Sequence, residues 1–418
     1  MAAALSLHLA ATFPIKVPPI FFPIVGNKWA VGSMFLFHIV LAAFSMGAVI
    51  IAPTYELLGA LRKDARMDRY AHSLASTNLK LFSFGATLGA FAVLLLTALY
   101  GRLFISLISI FFIPMVIAFM SWILTFSCEL AYVVLWRRME TRKPLHLALG
   151  WLGGITEQLF LFFIVGVDSF TLTPGRGQGT GAVFNASFWP EFAHRFVGNI
   201  SWVSFIIAAV MAVFTAVTAE PLERAYYAWA ARVSMAVGFL SLFPQVLLGA
   251  FYAHQIRSAS PGAFDYSFRG PFSSFWLVQE AFLALILIGT SVHLWRSRLR
   301  GNPAVPALVG LEGLAAVAMI LPSSVYPGAL FYARYVALGV AMLITLALLA
   351  LWAFPRGRAE TRGRLGQGAL AVAGVTAVLL FLFMGVIRET ARGDYAVYGR
   401  MTQSQGQTLF SPPRGYYP

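Results

Sequence analysis

Three ionisable residues lie in or at the ends of apolar segments of bilayer length, and their types suit iron ligation. His38 lies in SMFLFHIVLAAFSMG, His194 in WPEFAHRFVGNISWV, and Glu389 in FMGVIRETARGDY. Ionisable groups are costly inside a membrane and therefore suggest functional sites there. Imidazole is also the usual axial ligand of haem iron. The residues alone leave two interpretations open: haem ligation, or polar side chains that reach out to the membrane interface.

The composition is that of a polytopic membrane protein. Hydrophobic residues make up 59% of the 418 positions and charged residues 11%, whereas a soluble domain carries about 25% charged residues. Apolar runs of roughly 20 residues, each long enough to cross a bilayer, recur along the chain. The sequence predicts an all-α transmembrane helix bundle of about 9–10 spans, in which a re-entrant eighth segment is the alternative to a tenth span. The predicted spans are 32–57, 79–100, 106–136, 147–171, 196–218, 230–253, 273–295, 305–323, 330–353 and 367–387.

The positions of lysine and arginine predict the orientation. The loops after spans one, three, five, seven and nine hold more than half of the 30 basic residues. By the positive-inside bias these loops are cytoplasmic, so both termini are expected on the outer, periplasmic side. The predicted organisation is an interfacial segment on the outer face (1–30), a single haem-binding transmembrane bundle (31–390) and an irregular outer tail (391–418).

The net charge and the cysteine content give no reason to expect a nucleic-acid-binding protein or one held by disulfides. The net charge of +14 is explained by basic residues that contact anionic lipid head groups, so no nucleic-acid partner is expected. The single cysteine, Cys128, lies in an apolar span and is expected to be a structural thiol.

The orientation collects further polar residues at the outer face. His254 closes span six there, and Arg388 and Arg392 flank Glu389 as cations that could balance its carboxylate. Three other histidines fall at the cytoplasmic edge and are expected to be ordinary interfacial residues: His72, His146 and His293.

Several of these stretches resemble subunit I of the cytochrome bd quinol oxidases. FHIVLAAFSMG is similar to the first helix of that family, NLKLFSFGATLGAFAVLLLT to its second, WLGGITEQLFLFFIVGVDSFTLTP to its fourth and EFAHRFVGNISWV to its fifth. ETARGDY at the end of span ten resembles the Glu-x-x-Arg motif of the family.

The resemblance implies roles for four residues. His38 matches the ligand of a high-spin haem at the oxygen site, and His194 matches an axial ligand of the low-spin haem b. Glu389 matches the ligand of a second high-spin haem, and Arg392 matches an arginine that holds the negative charge of the haems. The resemblance also implies haem b, more than one copy or haem d being possible, and quinol as substrate. The expected setting is the respiratory chain of the bacterial cytoplasmic membrane, with a second membrane subunit or a c-type cytochrome as partner.

The sequence departs from the family at four places, one of which is ARGDY after Glu389, where the family has a GRQPW-like motif. The seventh span, SSFWLVQEAFLAL, lacks the methionine that ligates the low-spin haem, which leaves His254 as a candidate sixth ligand or the haem five-coordinate. The two glutamates of the third helix are replaced by Ala118 and Phe126, and only Glu129 remains nearby. The connection after span six, YAHQIRSASPGAFDYSFRGP, is much shorter than the quinol-oxidising loop of the family.

Three hypotheses of function follow. The first is a haem b electron-transfer subunit that passes electrons between quinol and an outer redox partner. The second is a working terminal oxidase of bd type, which reduces oxygen with quinol electrons. The third is a haem-free structural or transport subunit. Whether the chain is itself an enzyme, as an oxidoreductase subunit, depends on which of these holds.

Overall fold

The computed structural model describes residues 21–326, 333–353 and 363–407, and in these ranges the chain is a bundle of long α-helices. Nine of the described helices are long and apolar enough to cross a bilayer. The predicted all-α transmembrane bundle is confirmed, and the chain is an integral membrane protein. In chain order the helices are α1 (Gly26–Arg62), α2 (Ala65–Leu99), α3 (Gly101–Val134), α4 (Lys143–Leu172), α5 (Thr180–Val183), α6 (Phe188–Val217), α7 (Pro221–Ala259), α8 (Pro261–Phe268), α9 (Ser273–Leu294), α10 (Ala304–Ile320), α11 (Ala333–Ala353), α12 (Arg364–Ala391) and α13 (Gln403–Gly406).

Each predicted span coincides with one helix, and most of the helices extend beyond the predicted ends. The sixth span was predicted at 230–253, whereas α7 runs from Pro221 to Ala259. The first was predicted to begin at 32, whereas α1 begins at Gly26 and so takes in the end of the predicted interfacial segment. Hydropathy marks only the part of a helix that lies in hydrocarbon, and polar end turns continue into the head-group region. Residues 1–20 lie outside the described ranges.

The shortest of the ten long helices, α10, is only 17 residues long. Two contacts give its direction: Thr345 donates to Glu312 over 2.6 Å, and Arg334 donates to the Leu321 carbonyl over 2.9 Å. The N-terminal part of α11, at Arg334, therefore lies beside the end of α10, at Leu321. Thr345, further along α11, lies beside Glu312, which is earlier in α10. Since α10 is about 26 Å long at 1.5 Å per residue, it traverses the bundle antiparallel to α11. This course supports ten passages over a re-entrant eighth segment.

Both ends of the described chain lie at one end of the bundle. Lys28, in the first turn of α1, donates to the carbonyl of Gly393 just after α12 over 3.1 Å. Near the end of the described chain, Gln407 donates to the hydroxyl of Tyr100, in the turn between α2 and α3, over 3.2 Å. Because the basic loops lie at the opposite end, this end is expected to be the outer face.

The predicted irregular tail is partly ordered. Strand β1 (Tyr395–Val397) pairs antiparallel with β2 (Met401–Thr402), and the short helix α13 follows. Val397 and Met401 are buried in the apolar cluster that the hairpin shares with α3 and α4. Burial of these two side chains against the ends of the spans explains why a polar segment folds here. Residues 408–418 lie outside the described ranges.

A proline kink in α3 shows how an irregular backbone is accommodated. Phe111 has non-helical backbone angles (φ −110°, ψ 24°), three residues before Pro114. A proline blocks the hydrogen bond to the carbonyl four residues earlier, here that of Ile110. That carbonyl instead accepts the backbone N–H of Gly179 over 2.6 Å. The loop that precedes α5 therefore supplies the donor that the kink removes from the helix.

Small residues let the central helix α6 pack closely against its neighbours. A Cβ on Gly47 of α1 would lie 2.5 Å from the carbonyl oxygen of Asn199. A Cβ on Gly374 of α12 would collide with the Cβ of Ala209. Helix association in lipid depends on such close backbone approach, because burial of apolar surface gives little gain there. The contacts hold α6, which carries His194, against the helices that carry His38 and Glu389.

Candidate functional site

His38 is held between α1 and α2 with one ring nitrogen bonded. Its Nδ1 lies 2.9 Å from the carbonyl oxygen of Gly85, and the ring is half-buried. A carbonyl can only accept, so Nδ1 donates and Nε2 of the neutral ring carries the free lone pair. Gly89 makes room for the ring, since a Cβ there would lie 2.7 Å from the His38 Cε1 atom.

His194 repeats this arrangement between α6 and α7. Its Nδ1 lies 3.0 Å from the carbonyl oxygen of Gln245, so Nε2 again carries the lone pair. A Cβ on Gly249 would lie 3.1 Å from the His194 Cε1 atom. The imidazole ring faces Tyr252 with the two centroids 6.4 Å apart.

The two histidines therefore meet the chemical requirements of axial haem ligands. Iron-ligating imidazoles almost always donate their other ring N–H to a carbonyl or carboxylate, which fixes the tautomer and the ring orientation. In both residues the backbone of a neighbouring helix provides that acceptor. Within the described ranges no group of three or more histidine, cysteine or acidic residues could hold a bare metal ion. Haem iron needs only one or two protein ligands, because the porphyrin nitrogens supply the other four. His38 and His194 therefore fit a haem. Their role as ligands stays a prediction.

Glu389 has a cation one turn away. Arg392 Nη2 forms an ion pair with Glu389 Oε2, and Arg392 Nη1 donates to the carbonyl of Ala396. The Glu389 side chain keeps 30% of its surface exposed, whereas that of Arg392 keeps 11%. The carboxylate thus lies at an accessible position at the C-terminal end of α12. Its role as a haem ligand stays a prediction.

The structure corrects the prediction for Arg388, which does not pair with Glu389. Arg388 Nη1 lies 2.8 Å from Asp168 Oδ1, and its Nε lies 3.4 Å from Glu191 Oε1. Adjacent residues on a helix differ in direction by about 100°, so the two arginines around Glu389 face different neighbours. Because Arg388 compensates protein carboxylates, it is not available to balance Glu389.

Arg388 belongs to a partly buried ionic network that sequence reasoning missed. Arg195 lies 2.5 Å from Asp168 and 3.3 Å from Glu191, and Tyr252 donates to Glu191 over 2.8 Å. Two arginines thus face two carboxylates, and the charges compensate within the protein. One signal was present in the sequence, since Asp168 is an acidic residue inside the apolar fourth span. The network joins α4, α6, α7 and α12 beside His194.

His254 is not brought to His194. Its side chain is exposed. It follows Gly249 by five residues, which places it about 140° around α7 and about 7.5 Å further along. Since Gly249 faces His194, His254 points away from that contact, and its proposed role as a sixth ligand has no support from its position.

The prediction of ordinary interfacial histidines at the cytoplasmic edge is wrong for His146. It is only 1% exposed, and its Nδ1 lies 2.7 Å from Glu56 Oε1. Glu56 also pairs with Lys143 over 2.8 Å and accepts from the Tyr132 hydroxyl over 2.7 Å. His293 is equally buried, with Nδ1 3.0 Å from the Gly366 carbonyl oxygen. A buried carboxylate requires cations and donors around it, and sequence position alone does not show which helices will provide them.

Two further buried carboxyl groups lie deeper between α3 and α4. Glu129 of α3 accepts from Asn78 over 3.2 Å, and Glu129 and Glu157 of α4 each keep only 2% of their surface exposed. The hydroxyls of Thr125 and Thr156 lie 2.9 Å apart beside them. Glu129 was noted in the sequence, whereas the burial of Glu157 became visible only when α4 was packed against its neighbours.

Comparison with known proteins gives one informative result. No family model and no curated protein sequence matches the chain. Among solved structures, the bd oxidase from Geobacillus thermodenitrificans superimposes with a TM-score of 0.54 over 87% of this chain and 94% of that one. The fold is bd-oxidase-like. At 13% sequence identity the likeness concerns the path of the chain and not its ligands or activity.

The bd-like fold agrees with the resemblance noted in the sequence. The helices that carry FHIVLAAFSMG, EFAHRFVGNISWV and ETARGDY are the first, sixth and twelfth of a bundle whose fold is similar to that of a bd oxidase. The missing methionine and the short connection after the sixth span remain departures in sequence. Cofactor content therefore has to be argued from the side chains of this chain.

Proposed function

We propose that the protein is a haem b-containing electron-transfer subunit of the bacterial cytoplasmic membrane, which passes electrons between quinol and an outer redox partner. The observation that carries the proposal is the shared geometry of His38 and His194. Each donates Nδ1–H to a backbone carbonyl of the next helix, and each ring lies over a glycine. His293 shares the Nδ1–carbonyl contact, so it is the glycine beside the ring that distinguishes His38 and His194.

The residues of the chain have distinct parts in this proposal. His38 and His194 would each hold a haem iron through Nε2, and Glu389 would hold a further one, with Arg392 as its counter-charge. A bound haem supplies reversible one-electron oxidation and reduction, while the protein sets its potential through ligation, burial and hydrogen bonding. The ionic network of Arg388 and its partners fixes the helices around His194.

The position of these residues suggests the electron partners. All of them lie in the outer part of the bundle if the basic loops are cytoplasmic. Quinol is confined to the membrane, and a c-type cytochrome or a second membrane subunit could approach from the outer side. An outer haem layer would join these two pools without electrons crossing the whole bilayer.

Absorption spectroscopy of the purified protein tests the proposal. We expect a pyridine haemochrome spectrum of haem b, and we expect His194→Ala to remove one b-type α-band. His72→Ala is the matched control, since His72 packs on Trp136 at the opposite edge of the bundle and should leave the spectrum unchanged. His254→Ala should also leave it unchanged. Absence of haem from the wild-type protein would instead favour a haem-free membrane subunit.

A working bd-type oxidase is the second candidate, and one observation favours it. Buried polar side chains continue from the cytoplasmic edge into the bundle along α1 to α4. The series begins with Lys143, Glu56 and His146 and proceeds to Glu129 and Glu157. Oxygen reduction to water consumes protons, and such a series could deliver them in place of the glutamates that the sequence lacks.

Oxygen uptake distinguishes the two candidates. Purified, haem-loaded protein supplied with a soluble quinol should consume little oxygen if it only transfers electrons to an outer partner. Rapid uptake that Glu157→Gln slows, while the haem spectrum is kept, would identify an oxidase with an internal proton route. A matched control is Glu140→Gln, on a short 3₁₀ turn outside the spans.

A further inference from the structure

An apolar groove runs between α9 and α12 on the outside of the bundle. The groove is open along its length and has a volume of about 610 Å³. Its walls are side chains that are largely exposed, Leu285 at 46%, Leu365 at 59% and Val372 at 53%. Exposed leucine and valine side chains in a transmembrane bundle face lipid, so the groove opens towards the acyl chains of the bilayer.

Two glycines shape the groove. Gly289 lets the helices touch, since a Cβ there would lie 2.8 Å from the Ala369 carbonyl oxygen. Gly368 lines the groove, and a Cβ on it would have no atom within 4 Å. The contact between Gly289 and Ala369 therefore forms the bottom of the groove. Because Gly368 has no side chain, the space next to this contact stays open.

Positive charge lies at one end of the groove only. Arg364, the first residue of α12, lines it there and is exposed. Among the described residues no carboxylate pairs with Arg364. The preceding residue, Gly363, provides no side-chain hydrogen bond to the helix start, so the first N–H groups of this 28-residue helix add to the positive potential. The other residues that line the groove are apolar. The groove therefore has one positively charged end, and the rest of its length is hydrophobic.

We propose that this groove binds an anionic phospholipid of the cytoplasmic leaflet, with its phosphate at Arg364 and one acyl chain along Gly368. The occupant follows from the charge pattern, because a basic end at the cytoplasmic edge and an apolar channel between helices match an anionic lipid. The lipid would seal the α9–α12 contact against the bilayer.

Native mass spectrometry with defined lipids tests the site. The full-length protein in detergent is titrated with phosphatidylglycerol or with phosphatidylcholine of the same acyl chains. We expect one phosphatidylglycerol to be retained preferentially. Arg364→Gln should weaken its binding about five-fold, equivalent to about 1 kcal/mol for one arginine at a lipid head group. Gly368→Leu should abolish retention of this lipid by filling the groove.

Matched variants separate the groove from general lipid binding. Gly313→Leu places the same side chain on α10 at a glycine that also has open space around it. Arg137→Gln removes an exposed arginine at the end of α3. Both should bind phosphatidylglycerol like the wild type. The proposal would be overturned if the wild type retained the two lipids equally, or if Gly368→Leu bound phosphatidylglycerol like the wild type. It would also be overturned if Gly368→Leu lost a co-purifying subunit while its lipid binding stayed intact.

The lipid proposal stands apart from the haem proposal. Gly368 and Arg364 lie in the cytoplasmic half of α12, whereas Glu389 closes its outer end. Haem content measured on the same samples should be equal in wild type and Gly368→Leu, and equal thermal midpoints would show that the variant is folded. A failure of haem binding would leave the lipid measurement interpretable.

Discussion

Arg388 Nη1 lies 2.8 Å from Asp168 Oδ1, although the two residues are 220 positions apart in the sequence. The pair joins the last long helix, α12, to α4 in the middle of the bundle. With Arg195 and Glu191 it places two cations and two carboxylates beside the candidate ligand His194. The outer layer of this protein is therefore held by compensated charge as well as by packing.

Removal of Arg388 should be costly for stability. Arg388→Leu leaves Asp168 and the buried Glu191 with a single arginine. Breaking a fully buried pair costs about 3–5 kcal/mol, and we expect a smaller loss of stability here because Asp168 is 28% exposed. We expect a clear fall in the thermal unfolding midpoint of the detergent-solubilised protein. The control is Arg269→Leu, which removes an exposed pair with Asp265 and should cost about 1 kcal/mol or less. Equal midpoints for the two variants would show that the network contributes no stability.

Glu389 and Arg392 should affect haem in different ways. Glu389→Gln removes a negatively charged oxygen ligand and should perturb a high-spin haem band while the low-spin α-band remains. Arg392→Leu should lower haem retention more generally, since guanidinium groups bind carboxylates such as haem propionates with two hydrogen bonds. Arg400→Leu, at an exposed position of the hairpin, is the control. Wild-type spectra and haem content in both test variants would reject the assignment.

Gly89 offers a test of His38 that leaves the histidine in place. Gly89→Ala puts a Cβ where the His38 ring now lies, at 2.7 Å from Cε1, so the ring must move. We expect the band of the haem at His38 to shift or disappear, while the α-band assigned to His194 persists. Gly32→Ala on α1 meets no atom within 4 Å and should keep both. If the two alanine variants gave the same spectrum, His38 would not be an iron ligand in this position.

The orientation can be measured by cysteine accessibility. The only cysteine, Cys128, is buried and is first replaced by alanine. Arg138→Cys, an exposed position just after α3, should react with an impermeant maleimide only after the cells are permeabilised. Arg400→Cys, in the hairpin, should react in intact cells. Labelling of Arg138→Cys in intact cells would reverse the orientation and with it the outer location of Glu389.

The sequence by itself determined the class of fold. The apolar segments predicted an all-α bundle of about 9–10 spans, because a backbone in lipid must satisfy its own hydrogen bonds. The loop charges predicted that both termini lie together, and the bundle places Lys28 beside Gly393. The resemblance in the first, fifth and tenth spans anticipated a bd-oxidase-like architecture. These features depend on the local composition of the chain and on the order of its segments, and both can be read from the sequence.

Only the tertiary structure decided which polar groups meet. Sequence position grouped Arg388 with Glu389, whereas the rotation of α12 turns Arg388 towards Asp168. From its sequence position His146 was interpreted as an interfacial residue. In the structure α1 places Glu56 within 2.7 Å of it. Helix faces are separated by about 100° per residue, and small changes in rotation choose different partners. Hydropathy fixes where a helix lies along the membrane normal, but packing of neighbouring helices fixes which side chains face each other.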